Sequence, residues 1–293
     1  MSILVTGAGG QVGRELTARA GGRKLIGLDR AALDITDEAA ILGAIEANAA
    51  RVLINAAAYT AVDKAESDQA SAFAVNRDGS AALARACAQA GIPLLHLSTD
   101  YVFDGSAPAP YPESAAAAPL GVYGLSKWEG EVAIRKALPQ HLIIRVAWVF
   151  GEFGANFVRT MLRVGRERPQ LRVVADQRGA PTHAGAIAET LLGLADRILA
   201  GESLHWGTYH YTGAPVTTWH GFAEAIFDEA LALGLIEKKP QVTAITTADY
   251  PTPARRPANS ALDMTQAGLQ LQLRAASWRD GLRETLRAWK SAS

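Results

Sequence analysis

Three glycines, Gly7, Gly10 and Gly13, follow the short apolar run Ile3 to Thr6 and lead into Gln11 to Ala20, which carries Val12 and Leu16 on one helical face. A strand that breaks into glycine and resumes as a helix has few options. Glycine permits a tight turn and a close backbone approach, and the helix start presents unpaired amides with a partial positive charge. That geometry suits a pyrophosphate, so Gly7, Gly10 and Gly13 are the first candidate contacts for a dinucleotide. A plain turn is the competing reading, and the position between strand and helix favours the dinucleotide.

The strand-helix rhythm repeats along the chain. Leu25 to Leu28 reads as a second strand, a helix passes through Ile41, Leu42 and Ile45, and Val52 to Asn55 reads as a third strand. One helix is expected from about Ser67 to Ala90, with Phe73, Leu83 and Cys87 near one face. The strand Pro93 to Ser98, a helix begun around Gly124 and the strand Leu142 to Val149 follow. This alternation predicts an α/β fold, a Rossmann-type doubly wound parallel sheet with right-handed crossovers, over residues 1–150. Beyond Phe150 the rhythm weakens into the glycine-rich Gly151 to Asn156, a helix around Phe157 to Arg166, the loop Asp176 to His183 and the proline-rich Tyr250 to Pro257. Residues 151–293 are therefore expected to form mainly a smaller C-terminal α/β substrate-binding domain. A segment near 183–215, with a helix from about Ala184 to Leu199, is expected to return to the first domain.

Charge narrows the partners. Lys and Arg total 29 against 29 for Asp and Glu, so no net field points to nucleic acid or to a membrane surface, and a small molecule is the expected partner. The single cysteine, Cys87, excludes an internal disulfide framework and leaves too few thiolates for a cysteine metal site. Glycine interrupts the opening apolar run before a signal-peptide core forms, and no stretch gives roughly 18 uninterrupted apolar residues. The expectation is a soluble, cytoplasmic protein.

Asp29 closes the second strand, where a carboxylate accepts hydrogen bonds from a ribose diol, while the adjacent Arg30 suits a 2′-phosphate. NADH and NADPH are thus both expected to be tolerated. Asp34 and Ile35 fall in the loop that would flank adenine, with a turn or helix cap as the equal alternative for Asp34. After the third strand, the small residues of Ala56-Ala57-Ala58-Tyr59-Thr60 let the backbone pass close to a cofactor, which adds Ala58, Tyr59 and Thr60 to the candidates.

Tyr123 and Lys127 stand four apart, so a helix puts phenol and ammonium on one face, flanking one nicotinamide ribose. The lysine is expected to hold ribose and to pull the phenol's pKa down toward working pH. Thr99, in Ser98-Thr99-Asp100, stands at a strand end where open parallel sheets bind ligands, and its hydroxyl suits a developing alkoxide. Alone the tyrosine-lysine pair is a common surface pattern; with the glycine turn and Thr99 in order it reads as equipment for reducing a ketone.

These motifs resemble the extended short-chain dehydrogenase/reductase superfamily and, within it, the dTDP-4-dehydrorhamnose reductase family. The resemblance runs through Asn55 to Glu66, Ser98 to Phe103, Val122-Tyr123-Gly124, Asp176 to Thr182 and Pro251 to Pro257, covering essentially the full chain. It implies that NAD(P)H delivers hydride to C4 of dTDP-4-dehydro-L-rhamnose, giving dTDP-L-rhamnose for cell-surface polysaccharide such as lipopolysaccharide O-antigen. It further implies that Tyr123 protonates the alkoxide, that Thr99, Asp100 and Trp148 meet the sugar, that Gln11 and Val12 join Gly10 in facing the cofactor, and that Leu97 lies along the nicotinamide. Arg255 and Arg256 fall in a matching segment and suit a pyrophosphate.

Some members of the family dimerise through magnesium held by carboxylates. Glu15 matches one ligand, but Gly185 and Ala288 stand where two others would be, with Glu189 and Glu284 a helical turn away, so magnesium is not expected and the chain is expected to be a monomer or homodimer. The six histidines suggest no metal; His205 and His210, five apart, read as structural or exposed. Related dehydratases follow their aspartate with a glutamate, whereas Tyr101 follows Asp100 here. An epimerase is the other enzymatic rival. A silent regulatory subunit, like the relative that partners methionine adenosyltransferase, is the non-enzymatic one, opposed by Tyr123, Lys127 and Thr99.

Overall fold

The computed structural model describes residues 2–291; residue 1 and residues 292–293, at the ends of the expected domain ranges, lie outside the described residues. The chain runs β1 (Ser2–Thr6), α1 (Gln11–Ala18), β2 (Leu25–Leu28), α2 (Glu38–Ala47) and β3 (Ala50–Asn55), then the short helices α3 (Val62–Ala65) and α4 (Gln69–Phe73). A π-helical turn, Ala74–Gly79, joins α4 to α5 (Ser80–Ala90), and β4 (Leu94–Thr99), α6 (Val122–Ala137), β5 (His141–Val146) and β6 (Val149–Phe150) follow. The second half contains α7 (Phe157–Glu167), β7 (Gln170–Val174), β8 (Arg178–Gly179), β9 (Thr182–His183), α8 (Ala184–Leu199), β10 (Gly207–His210) and β11 (Thr217–Thr218). It ends with α9 (Trp219–Ala232), β12 (Gln241–Ile245), α10 (Thr265–Leu271) and α11 (Trp278–Ser291).

Six strands form one parallel sheet in the order β10-β5-β4-β3-β1-β2. Alternate side chains of each strand face opposite ways, and both faces are covered. Ile3 and Val5 of β1 and Ile54 of β3 pack with Leu16 of α1 and Ile187 and Leu191 of α8. Leu4 and Leu53 turn to the other side, against Ile41 of α2, Leu83 of α5 and Ile134 of α6. The sheet is doubly wound, and its strand order reverses between β1 and β3, which opens a crevice at their carboxyl ends. A third core, Val158 and Leu162 of α7, Phe222 and Phe227 of α9 and Trp278 and Leu282 of α11, builds the second half. There β7 pairs in parallel with β12.

Three local departures from the sequence reading matter for the site. The helix expected from Ser67 to Ala90 is interrupted by the π-helical turn, where the buried Asn76 leaves the helix surface to bond Tyr59 and Ser126. The strand expected from Leu142 to Val149 stops at Val146, and Trp148 takes φ +47° before β6 resumes. The loop Asp176 to His183 carries the two short strands β8 and β9, paired with β11 and β6.

Candidate active site

On α6, Tyr123, Lys127, Glu131 and Arg135 recur every four residues and form one stripe. Opposite them, His96 and Ser98 alternate along β4, so Lys127 meets His96 and Glu131 meets Ser98. Lys127 is 2% exposed; its Nζ donates to the Leu97 carbonyl at 2.7 Å and lies 3.2 Å from His96 Nε2. Burial pushes its pKa down to about 8, with the Glu131 carboxylate pulling the other way. Glu131 accepts from Arg145 Nε at 2.8 Å and Nη2 at 2.7 Å, from Ser98 Oγ at 2.6 Å and from Arg135 Nη1 at 3.0 Å.

Above that stripe, the carboxyl end of β4 brings Thr99 and Asp100 to Tyr123. Thr99 Oγ1 accepts from the Tyr101 amide at 3.2 Å, donates to Asp100 Oδ1 at 3.0 Å and bonds the Tyr123 hydroxyl. The Tyr101 ring meets Tyr123 edge-on at 5.6 Å. Tyr123 keeps an open edge while protein surrounds its hydroxyl, and that burial pushes its pKa up to about 12, opposed by Thr99 and assisted by Asp100. This differs from the sequence reading, in which lysine lowers the phenol. Burial rather than a neighbouring cation governs the phenol, which is held protonated, while Lys127 lies against the Leu97 carbonyl and His96. Burial likewise raises Asp100 to about 7, against the pull of the Ser260 and Thr99 hydroxyls.

Beside this cluster lies a cleft of about 690 Å³. Its walls include Gly7 and Gly10 of the first turn, Asp29, Arg30, Asp34 and Ile35, and Ala58, Tyr59 and Thr60. Gly7 has φ +74° and approaches the Ala56–Ala57 backbone so closely that a Cβ would collide with it; a Cβ on Gly13 would strike the Gly7 carbonyl. Gly10, which lines the cleft, caps α1 with no side-chain hydrogen bond, so no side chain occupies the first amides of that helix. Gln11 is half-buried, while Val12 and Gly13 are buried, and the Val12 side chain packs in the core. Asp29 Oδ1 accepts from the Ala31 and Ala32 amides, both at 3.0 Å. Asp34 also performs its turn role, holding the Thr36 amide and hydroxyl, and those bonds keep its pKa below the usual range.

At the other end of the site, Trp148 stacks on Trp219 at 3.6 Å and donates from Nε1 to Ser260 Oγ at 3.1 Å. A positive φ on a bulky residue stores strain, and the stack and the hydrogen bond hold it there. Leu97 is half-buried beside Lys127. Arg256 is engaged: it holds Asp63 through two nitrogens at 3.1 and 2.8 Å, tying the proline-rich segment to α3, whereas Arg255 is exposed.

Glu15 does not fit a magnesium site. Arg19 Nε reaches it at 3.0 Å, and the same guanidinium bonds Glu189 at 2.6 Å and Glu284. A cation of the chain's own thus stands among the three carboxylates. Among the described residues no three carboxylate, imidazole or thiolate groups converge as a metal site. No helix among them is long and apolar enough to cross a membrane.

Sequence reading passed over Asn55, Asn76, His96, Glu131, Arg145, Trp219 and Ser260. A usable signal was present for three of them: Asn55, His96 and Arg145 are polar side chains set directly against apolar strand residues, where burial demands a partner.

A doubly wound sheet, a glycine-walled cleft at its switch point and a threonine-tyrosine-lysine cluster alongside define a protein of the extended short-chain dehydrogenase/reductase class. The family model described as RmlD substrate binding domain matches residues 1–291. The chain is 46% identical to a dTDP-4-dehydrorhamnose reductase of Aggregatibacter actinomycetemcomitans, over 96% of this chain and 97% of the relative. Its structure is similar to that of a dTDP-4-dehydrorhamnose reductase from Clostridium acetobutylicum, with TM-score 0.91 and 36% identity over 99% of this chain and 100% of the other. It is also similar to a Bacillus anthracis dTDP-4-dehydrorhamnose reductase solved in complex with NADP, with TM-score 0.90 and 32% identity over 98% and 99% of the two chains. The chain belongs to the RmlD substrate binding domain family.

Proposed function

We propose that this protein reduces the C4 ketone of dTDP-4-dehydro-β-L-rhamnose to give dTDP-β-L-rhamnose, with NADPH or NADH as reductant. The observation that carries the reading is the clustering of Tyr123, Thr99 and Lys127 in a chain that also has a glycine-walled cleft and whose relatives carry the reductase name along their whole length.

The cleft fits a dinucleotide. Its floor is glycine where a Cβ would collide, and the uncapped start of α1 offers amides to a pyrophosphate, so Gly7, Gly10, Gln11, Val12 and Gly13 are the assigned cradle. Asp29 is assigned to the adenosine ribose, Arg30 to a 2′-phosphate when one is present, and Asp34, Ile35, Ala58, Tyr59 and Thr60 to the adenine side and the cofactor's flank. Leu97, Tyr123 and Lys127 take the nicotinamide half. When bound, the reduced nicotinamide supplies a hydride. Tyr123, held protonated, gives its proton to the ketone oxygen, and Thr99, on releasing its bond to Asp100, donates a hydrogen bond to the same oxygen. Asp100 and Trp148 hold the sugar.

In this reading, residues 1–150 with the segment near 183–215 bind the dinucleotide, and residues 151–293 mainly bind the nucleotide sugar. The protein works in the cytoplasm as a monomer or homodimer.

Purified protein should oxidise NADPH or NADH in one-to-one ratio with the dTDP-keto sugar, and the product's NMR spectrum should be that of the rhamnose configuration. Tyr123→Phe should lose about 10²–10⁴-fold in kcat while binding the dinucleotide normally. A folded, cofactor-binding protein with no turnover would sink the proposal, and a C4-epimeric product would reassign the substrate.

A further inference from the structure

Beneath Tyr123 and Lys127 runs a hydrogen-bond chain whose direction is fixed at its far end. The Ala57 amide, a backbone donor, lies 2.9 Å from Asn55 Oδ1, and Thr6 Oγ1 donates to the same oxygen at 2.7 Å. Those two donors identify the oxygen of the Asn55 amide without ambiguity. Its nitrogen therefore faces His96 Nδ1, at 2.9 Å. An amide nitrogen only donates, so Nδ1 accepts and carries no proton. A neutral imidazole then bears its hydrogen on Nε2, which points at Lys127 Nζ, 3.2 Å away. Two donors make no hydrogen bond. Lys127 must offer a lone pair to His96 while donating its own hydrogen to the Leu97 carbonyl at 2.7 Å.

We infer that His96, oriented by Asn55, is a positioning residue that biases Lys127 in the free protein toward the uncharged amine and so governs when the lysine takes up its proton. The inference deepens the reductase reading and rests on Lys127 belonging to that site. It follows from heavy-atom geometry and one backbone amide.

The surroundings agree with it. His96 is fully buried, and burial above all holds its pKa well below the usual histidine range, so its ring is neutral. Glu131, one turn along α6, favours an ammonium at Lys127, but its two oxygens are already shared among Arg145, Arg135 and Ser98. From β5, His141 and Arg145 face this layer and bring no negative charge. Asp100 and Tyr123 stand at the open end, where Asp100 acts on the phenol.

Nitrogen-15 NMR of the histidine side chains tests this on the full-length protein without ligand, with the His96 signals identified by their loss in His96→Gln. The expected spectrum is a neutral ring with its proton on Nε2. Asn55→Asp reverses the polarity at constant shape: the carboxylate accepts from Nδ1–H, Nε2 becomes an acceptor, and the ammonium is favoured. In that variant the tautomer should switch, and the titration midpoint of Lys127, followed at its Cε resonance, should rise by roughly one pH unit. The alkaline limb of the kcat/KM profile should move with it.

A wild-type proton on Nδ1 overturns the inference, as does an Asn55→Asp protein that switches tautomer without moving Lys127. Should Asn55→Asp not fold, the wild-type spectrum decides alone. These resonances do not depend on turnover, so an inactive protein with the expected tautomer counts against the proposed reaction and not against the relay.

Discussion

Glu131 and Glu15 are both buried, and each precedes an arginine by one helical turn, yet they are driven in opposite directions. At Glu131, burial alone would raise the pKa, but two guanidiniums and a hydroxyl supply four hydrogen bonds and together bring it below the ordinary value. At Glu15, burial wins. Its single guanidinium, Arg19, is shared with Glu189 and Glu284, and the charges of Glu152 and Glu284 push further upward. Donor count against competing carboxylates, rather than burial, decides whether a glutamate inside this protein is comfortable as an anion.

The contrast is broken most forcefully at Arg145. Replacing it in Arg145→Met leaves the fully buried Glu131 without its two-pronged partner and should cost about 3–5 kcal/mol of stability by chemical denaturation. Adding Glu131→Gln to that variant should return part of the loss, visible as coupling in a double-mutant cycle. A single-variant loss below about 1 kcal/mol, no greater than an exposed ion pair is worth, would erase the distinction.

A smaller effect lies in the pH dependence. Glu131 has a folded pKa below the 4.5 of an ordinary glutamate, so its contribution is complete above 4.5 and is lost as pH falls from there through the folded value. Glu15 has a folded pKa above 4.5, so the folded state holds its proton longer and stability declines as pH rises from 4.5 through that value. Denaturation curves taken across pH 4.5 should therefore flatten on the acid side in Glu131→Gln and on the other side in Glu15→Gln. The smallest change belongs to Arg19→Met, about 1 kcal/mol or less, with a thermal midpoint that recovers as salt screens the three carboxylates.

Much of the site could be read from spacing. The i, i+4 placement of Tyr123 and Lys127, the turn at Gly7 and the strand end at Thr99 are local patterns, and local geometry carries them into the fold. The helix Ala184–Leu199 has the bounds that its apolar period implies. What stayed hidden depends on partners distant in sequence. Asn76 breaks its helix because Tyr59 and Ser126 offer better bonds than the next turn. Trp148 leaves its strand to stack on Trp219, seventy-one residues on. The phenol of Tyr123 moved opposite to expectation because burial governs it, while the lysine on the same helix face is turned to His96 and the Leu97 carbonyl.

The place of β10 in the sheet also has a consequence in time. Its partner β5 is complete at Val146, but β10 begins at Gly207. At about 5–20 residues per second, a ribosome needs roughly 3–12 s to make the intervening chain. Throughout that interval the nascent sheet shows an open β5 edge, the kind of surface that neighbouring chains extend into aggregates. Cellular yield of this protein is therefore tied to how fast residues 147–206 are translated, and slow codons there should lower soluble yield without altering a single side chain.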